Sequence, residues 1–131
     1  MKLLLDTHVW LWSILTPERL LPRVRRALRD RRNELWLSPV STWELTVLCA
    51  KGRVVLNEDV SKWVLKAISA GSLREAPLTH EIALESSNIQ MPHRDPADYF
   101  LAATARVLDL TLVTADKRLI EAQQCPVLAN E

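Results

Sequence analysis

Cysteine is scarce in this chain of 131 residues. Cys49 and Cys125 are too few and too far apart for a disulfide framework or a zinc site. Both sit in apolar runs, where a small buried hydrophobe is the ordinary reading. Glycine is as rare: Gly52 and Gly71 are the only two, each after a helical pattern, where glycine commonly ends a helix. Repeats, low-complexity tracts and Ser/Gly linkers are missing, which leaves no internal boundary and implies one domain over residues 1–131. The apolar start "MKLLLDTHVWLW" is cut short by Asp6, and no run is long enough to span a bilayer. The expectation is therefore neither a signal peptide nor a membrane span, and a cytoplasmic location. An excess of one charge is lacking too, since the net charge is +1 and by itself predicts no partner.

What is present is the composition of a soluble globular protein, 48% hydrophobic and 25% charged, with enough chain for a sizeable core. Short apolar runs, "KLLLD" (2–6), "ELWLS" (34–38), "LTLVT" (110–114) and a final "CPVLA", read as strands, with "SLREAPL" a weaker one. Between them lie helical patterns, among them "HVWLWSIL", "STWELTVLCAK" (41–51), "NEDVSKWVLKAISAG", "THEIALESS", a helix over 97–109 and "DKRLIEAQ". This alternation predicts a three-layer α/β domain with a mostly parallel central sheet flanked by helices.

The acids fall at one kind of place on this map. Asp6 ends the first strand, Glu44 opens the helix after the second, Asp95 and Asp98 open the long apolar helix, and Asp116 follows "LTLVT". Those positions all map to the carboxyl rim of a parallel sheet, where open α/β folds bind ligands. Each acid has a plainer use as well. "S-T-W-E" matches a capping box from Ser41 to Glu44, and in "DPAD" Asp95 reads as an N-cap, Pro96 as N1 and Asp98 as N3. Against capping alone stands the apolar setting: Glu44 shares its face with Val40, Val47 and Leu48, and "YFLAATARVL" follows Asp98. Several buried carboxylates cannot share a pocket without a cation or without taking up protons. An oxygen-only cluster suits Mg²⁺ or Mn²⁺.

On these segments the chain resembles PIN-domain ribonucleases, and among them the VapC toxins of type II toxin–antitoxin pairs. The matching segments are "LLLDTHVWLW", "LSPVSTWELTVLCAKGRV", "PLTHEIALES", "HRDPADYFLAATA" and "LTLVTAD", in that order from end to end. The resemblance implies catalytic acids at Asp6, Glu44, Asp98 and Asp116, with Asp6, Asp98 and Asp116 holding the metal. It adds a hydroxyl position at Thr114 and gives Asp95 a secondary place as part of the "DPAD" signature. It further implies a Mg²⁺-dependent endoribonuclease (Mn²⁺ being able to substitute), a cognate VapB-type antitoxin, an RNA substrate and a homodimer. One departure is Tyr99, which stands where many relatives carry Arg.

Other residues carry less. His8, His80 and His93 share no metal-ligand spacing, and His93 is expected to hydrogen-bond near the acidic rim. The five tryptophans lie in apolar patterns and read as core or interface; a base-stacking role requires exposure. Seven arginines crowd the stretch from Arg19 to Arg32. That face, with Arg25, Arg26 and Arg29, is a solvated helix surface, a guide for RNA phosphates or, by the resemblance, an antitoxin contact. A phosphoacceptor receiver domain is a rival α/β reading, but it requires a lysine after the last well-formed strand and "CPVLANE" has none. A PIN-like module that binds RNA or protein without cutting is the remaining alternative.

Overall fold

The computed structural model describes all residues, 1–131. Five strands form one parallel sheet: β1 (Lys2–Leu5), β2 (Glu34–Leu37), β3 (Arg74–Glu75), β4 (Thr111–Thr114) and β5 (Val127–Ala129), in the order β3-β2-β1-β4-β5. Seven α-helices connect and cover them: α1 (Thr7–Leu15), α2 (Pro22–Arg29), α3 (Pro39–Ala50), α4 (Val60–Ala70), α5 (His80–Glu85), α6 (Pro96–Leu108) and α7 (Lys117–Ala122). The expected three-layer α/β architecture is what forms.

Alternation along the strands builds the two cores. Leu3, Leu5 and Val113 face α1, α2 and α4, where Val9, Trp10, Val24 and Val64 close over them. Leu4 and Leu112 point the other way, against Leu101 and Ala105 of α6 and Leu119 of α7. Strands buried on both faces must be apolar at consecutive positions, which is why "LLL" and "LV" read as unbroken runs. Leu3, Leu4 and Leu5 are at most 2% exposed. Burial of this extent contributes about 1.5–3 kcal/mol per side chain. No helix is long and apolar enough to cross a membrane.

The chain moves outward from β1 through β2 to β3, then returns to the other side of β1 for β4 and β5. The β1–β4 boundary is therefore the switch point of the sheet, where the flanking connections leave in opposite directions and open a crevice at the carboxyl ends. The acids gather at that boundary.

Two helix boundaries differ from the sequence expectation. Helix α3 begins at Pro39 with Ser38 as its N-cap, Ser38 Oγ accepting from Val40 N at 3.1 Å. Pro at the first helical position is pre-set for that start, and the capping box from Ser41 to Glu44 does not form. The arginine-rich stretch is not one helix. A 3₁₀ turn (Pro17–Arg19) precedes α2, which starts at Pro22 and stops before Asp30.

Candidate metal centre

The four expected acids come from four elements that meet at the switch point. Asp6 is the N-cap of α1 at the end of β1: its Oδ1 accepts from Thr7 N at 2.8 Å and its Oδ2 from Thr114 Oγ1 at 2.7 Å. Thr114 ends β4 and is fully buried, and its Oγ1 also accepts from Asp116 N at 3.1 Å. A single hydroxyl thus ties the end of β1 to the turn carrying Asp116.

Glu44 reaches the same region from the second turn of α3. With the capping box absent, its carboxylate is not spent on the helix's own N–H groups. Thr7 Oγ1 donates to Glu44 Oε1 and stands 2.9 Å from Ser41 Oγ. Asp95 and Asp98 take the places expected of them on α6. Asp95 is the N-cap, accepting from Ala97 N at 3.1 Å, while Asp98 projects into the fold at 6% exposure. Asp98 Oδ2 is 2.8 Å from His93 Nε2 and 3.8 Å from Arg118 Nη2. Asp116 caps α7 and takes a forked pair from Arg118, Nε to Oδ1 at 3.2 Å and Nη2 to Oδ2 at 2.9 Å.

Burial and mutual repulsion set the electrostatics. Asp98 is pushed up to about 7, first by burial and then by the charges of Asp95, Asp6 and Asp116, with the His93 hydrogen bond pulling the other way. Asp6 is raised by burial, which the Thr114 and Thr7 hydrogen bonds only partly offset. Burial raises Glu44 too, assisted by Asp6 and Asp95. Asp116 alone is lowered, because Arg118 binds it. Three carboxylates raised by burial beside one another are eased by added positive charge or by taking up protons.

No three His, Cys, Asp or Glu side chains stand close enough to enclose a metal ion as they are. Each carboxylate is turned onto a protein donor: Asp6 onto Thr7 and Thr114, Glu44 onto Thr7, Asp98 onto His93, Asp116 onto Arg118. The donor set itself is all oxygen, hard and anionic, the chemistry that suits a small divalent cation.

Some site residues were not legible from composition or spacing. Thr7 and Arg118 carry no motif of their own, although Thr7 follows Asp6 directly and Arg118 lies two residues after the cap Asp116, and Ser41 reads as a cap where it in fact meets Thr7. Tyr99 anchors a loop, since its hydroxyl stands 2.8 Å from the His93 carbonyl and 3.1 Å from that of Met91. That loop is the one that presents His93 to Asp98. Of the tryptophans, Trp10 is buried and Trp12, Trp36 and Trp63 are partly so, whereas Trp43 is 59% exposed. Arg25 and Arg29 are not near the acids. They line a separate open cleft of about 860 Å³, with Leu5 and Trp10 in its wall and Arg31 and Arg74 also on it, which none of the four acids borders.

Comparisons with known proteins agree with this architecture. The PIN domain family matches residues 3–124. Ribonuclease VapC22 of Mycobacterium tuberculosis is 32% identical over 119 residues, 88% of this chain and 88% of that protein. Among solved structures, VapBC2 from Rickettsia felis bound to a promoter DNA fragment superposes over 100% of both chains with a TM-score of 0.73 at 13% identity. DNA-bound VapBC from Salmonella typhimurium covers 98% of both, with a TM-score of 0.70 at 18% identity. FitAcB from Neisseria gonorrhoeae covers 98% of this chain and 97% of its own, with a TM-score of 0.64 at 23% identity.

Proposed function

The chain belongs to the PIN-domain family, and on that premise we propose that it is a divalent-metal-dependent endoribonuclease, the toxin of a type II toxin–antitoxin pair. The observation that carries the reading is the convergence of Asp6, Glu44, Asp98 and Asp116 at the β1–β4 switch point, with the first three raised by burial. Kinship with a named ribonuclease at 32% identity supplies the substrate class.

In this reading Asp6, Asp98 and Asp116 hold Mg²⁺, or Mn²⁺ in its place. When bound there, such an ion would supply Lewis-acid stabilisation of the charge that grows on the scissile phosphate. The chain's own residues do the rest. Thr114 and Thr7 fix both oxygens of Asp6 so that it cannot rotate away. Glu44 keeps Oε2 unengaged while Thr7 holds Oε1, and its raised pKa suits it to take a proton from the attacking water. His93, steadied by Tyr99, sets the orientation of Asp98. Incubating purified protein with RNA tests the assignment: cleavage is expected with Mg²⁺ or Mn²⁺ and should stop in EDTA. Undiminished cleavage in EDTA removes the metal mechanism.

The partner reading is a VapB-type antitoxin. Arg25 and Arg29 on a partly apolar cleft away from the acids favour a docked acidic and apolar segment over a path for RNA. Arg25→Ala, Arg26→Ala and Arg29→Ala combined should weaken antitoxin binding roughly tenfold, since exposed charges contribute about 0.2–1 kcal/mol each. RNA cleavage by the free toxin should change little. Lost RNA affinity with intact antitoxin binding would return this face to the RNA-guiding role. A homodimer also belongs to the reading, and Trp43, Leu65 and Leu84 are exposed apolar side chains available to a second copy.

A further inference from the structure

Among the ion pairs of this structure, the lysines and arginines give one partner to the site acids, Arg118. Its guanidinium spans two elements, forked onto Asp116 at the start of α7 and reaching Asp98 of α6 at 3.8 Å. The side chain is 53% exposed, so charge rather than packing holds it there. Resting on the metal-site reading above, we propose that Arg118 is the counter-ion that ties Asp116 to Asp98 and turns to an RNA phosphate when a divalent cation binds those carboxylates.

Charge and geometry carry the inference. The fork engages both oxygens of Asp116, and a guanidinium held there opposes, by its charge, a cation at the same carboxylate. A guanidinium stays charged when displaced and, half-exposed here, is free to meet another anion. The anion that RNA brings to this rim is a phosphodiester, whose paired oxygens match the same planar fork. The exposed position leaves the arm free to exchange one for the other without moving α7. Arg118 therefore opposes the metal and favours the RNA.

Two titrations decide it, using the full chain stripped of metal. Mn²⁺ is titrated calorimetrically into wild type, Arg118→Ala and Arg118→Gln. An oligoribonucleotide is then bound in Mn²⁺ across a range of salt, with Glu44→Gln in every protein so that no base activates the attacking water. Both variants should bind Mn²⁺ roughly threefold to fivefold more tightly, the scale of an exposed ion pair removed. They should bind the oligonucleotide more weakly, with a salt slope shallower by roughly 0.7, whereas Arg118→Lys keeps the slope. Unchanged or weaker Mn²⁺ binding overturns the proposal, and so does an unchanged salt slope. If wild type binds Mn²⁺ and Asp98→Asn does not, while the Arg118 variants behave as wild type, Arg118 alone is excluded. A folded wild type that binds no Mn²⁺ removes the metal centre and this proposal together.

Discussion

Asp98→Asn should abolish RNA cleavage and at the same time make the metal-free protein more stable. Asn is nearly isosteric and can keep a hydrogen bond to His93, so the fold has no steric reason to change. What disappears is a buried negative charge. A metal centre that loses one carboxylate forfeits several kcal/mol of transition-state stabilisation, a hundredfold or more in rate. Stability moves the other way because Asp98, raised to about 7 from its ordinary 3.8, is ionised in the fold only at a cost. Between those two values the folded state holds a proton that the unfolded chain has released. Metal-free wild type should therefore lose stability as pH rises from about 4 to about 7, and Asp98→Asn should flatten that decline. Asp6 and Glu44 are raised in the same direction, so some slope remains. Asp95→Asn is the contrasting variant. Its carboxylate caps α6, and Asn caps about as well, with a dipole loss of roughly 0.3–1 kcal/mol. It should keep substantial cleavage and melt a few degrees lower. Loss of cleavage in Asp95→Asn with full cleavage in Asp98→Asn reverses the assignment.

Expression of the chain without an antitoxin should arrest growth, and Asp6→Asn should relieve the arrest completely. The variant keeps the fold for a local reason: Asn caps the first turn of α1 through the same oxygen, and Thr114 Oγ1 can accept from the new amide in place of donating. Soluble yield and melting temperature report that the protein is present and folded. A folded Asp6→Asn protein that still arrests growth would place the chemistry elsewhere.

Much of this was readable from residues because the relevant signals are local. Unbroken apolar triplets marked the buried strands, and "DPAD" announced a cap, a proline at the first helical position and an inward acid, all of which form. Glu44 was misplaced by one helical turn. "STWE" fits a capping box well, but Ser38 followed by Pro39 makes a competing start, and Ser41 is buried against Thr7 instead. The arginine stretch kept its amphipathic spacing through two breakers, so periodicity alone overran Pro22 and Asp30. His93 is expected at the acidic rim and is found there, but which groups meet across the site was out of reach. That His93 meets Asp98, and that Arg118 bridges to it from α7, depends on how the loop before α6 and the turn after β4 close over the switch point. The sequence names these residues without saying which will touch.

Calorimetric titration of Mn²⁺ into the folded, metal-free chain at pH 7.5, alongside Asp6→Asn and Asp98→Asn, tests the central claim most directly. Saturable binding by wild type is expected, at least tenfold weaker in each variant, with all three proteins folded. Wild-type protein that is folded but takes up no Mn²⁺, or variants that bind it as well as wild type does, would contradict the assignment of these carboxylates to a metal centre.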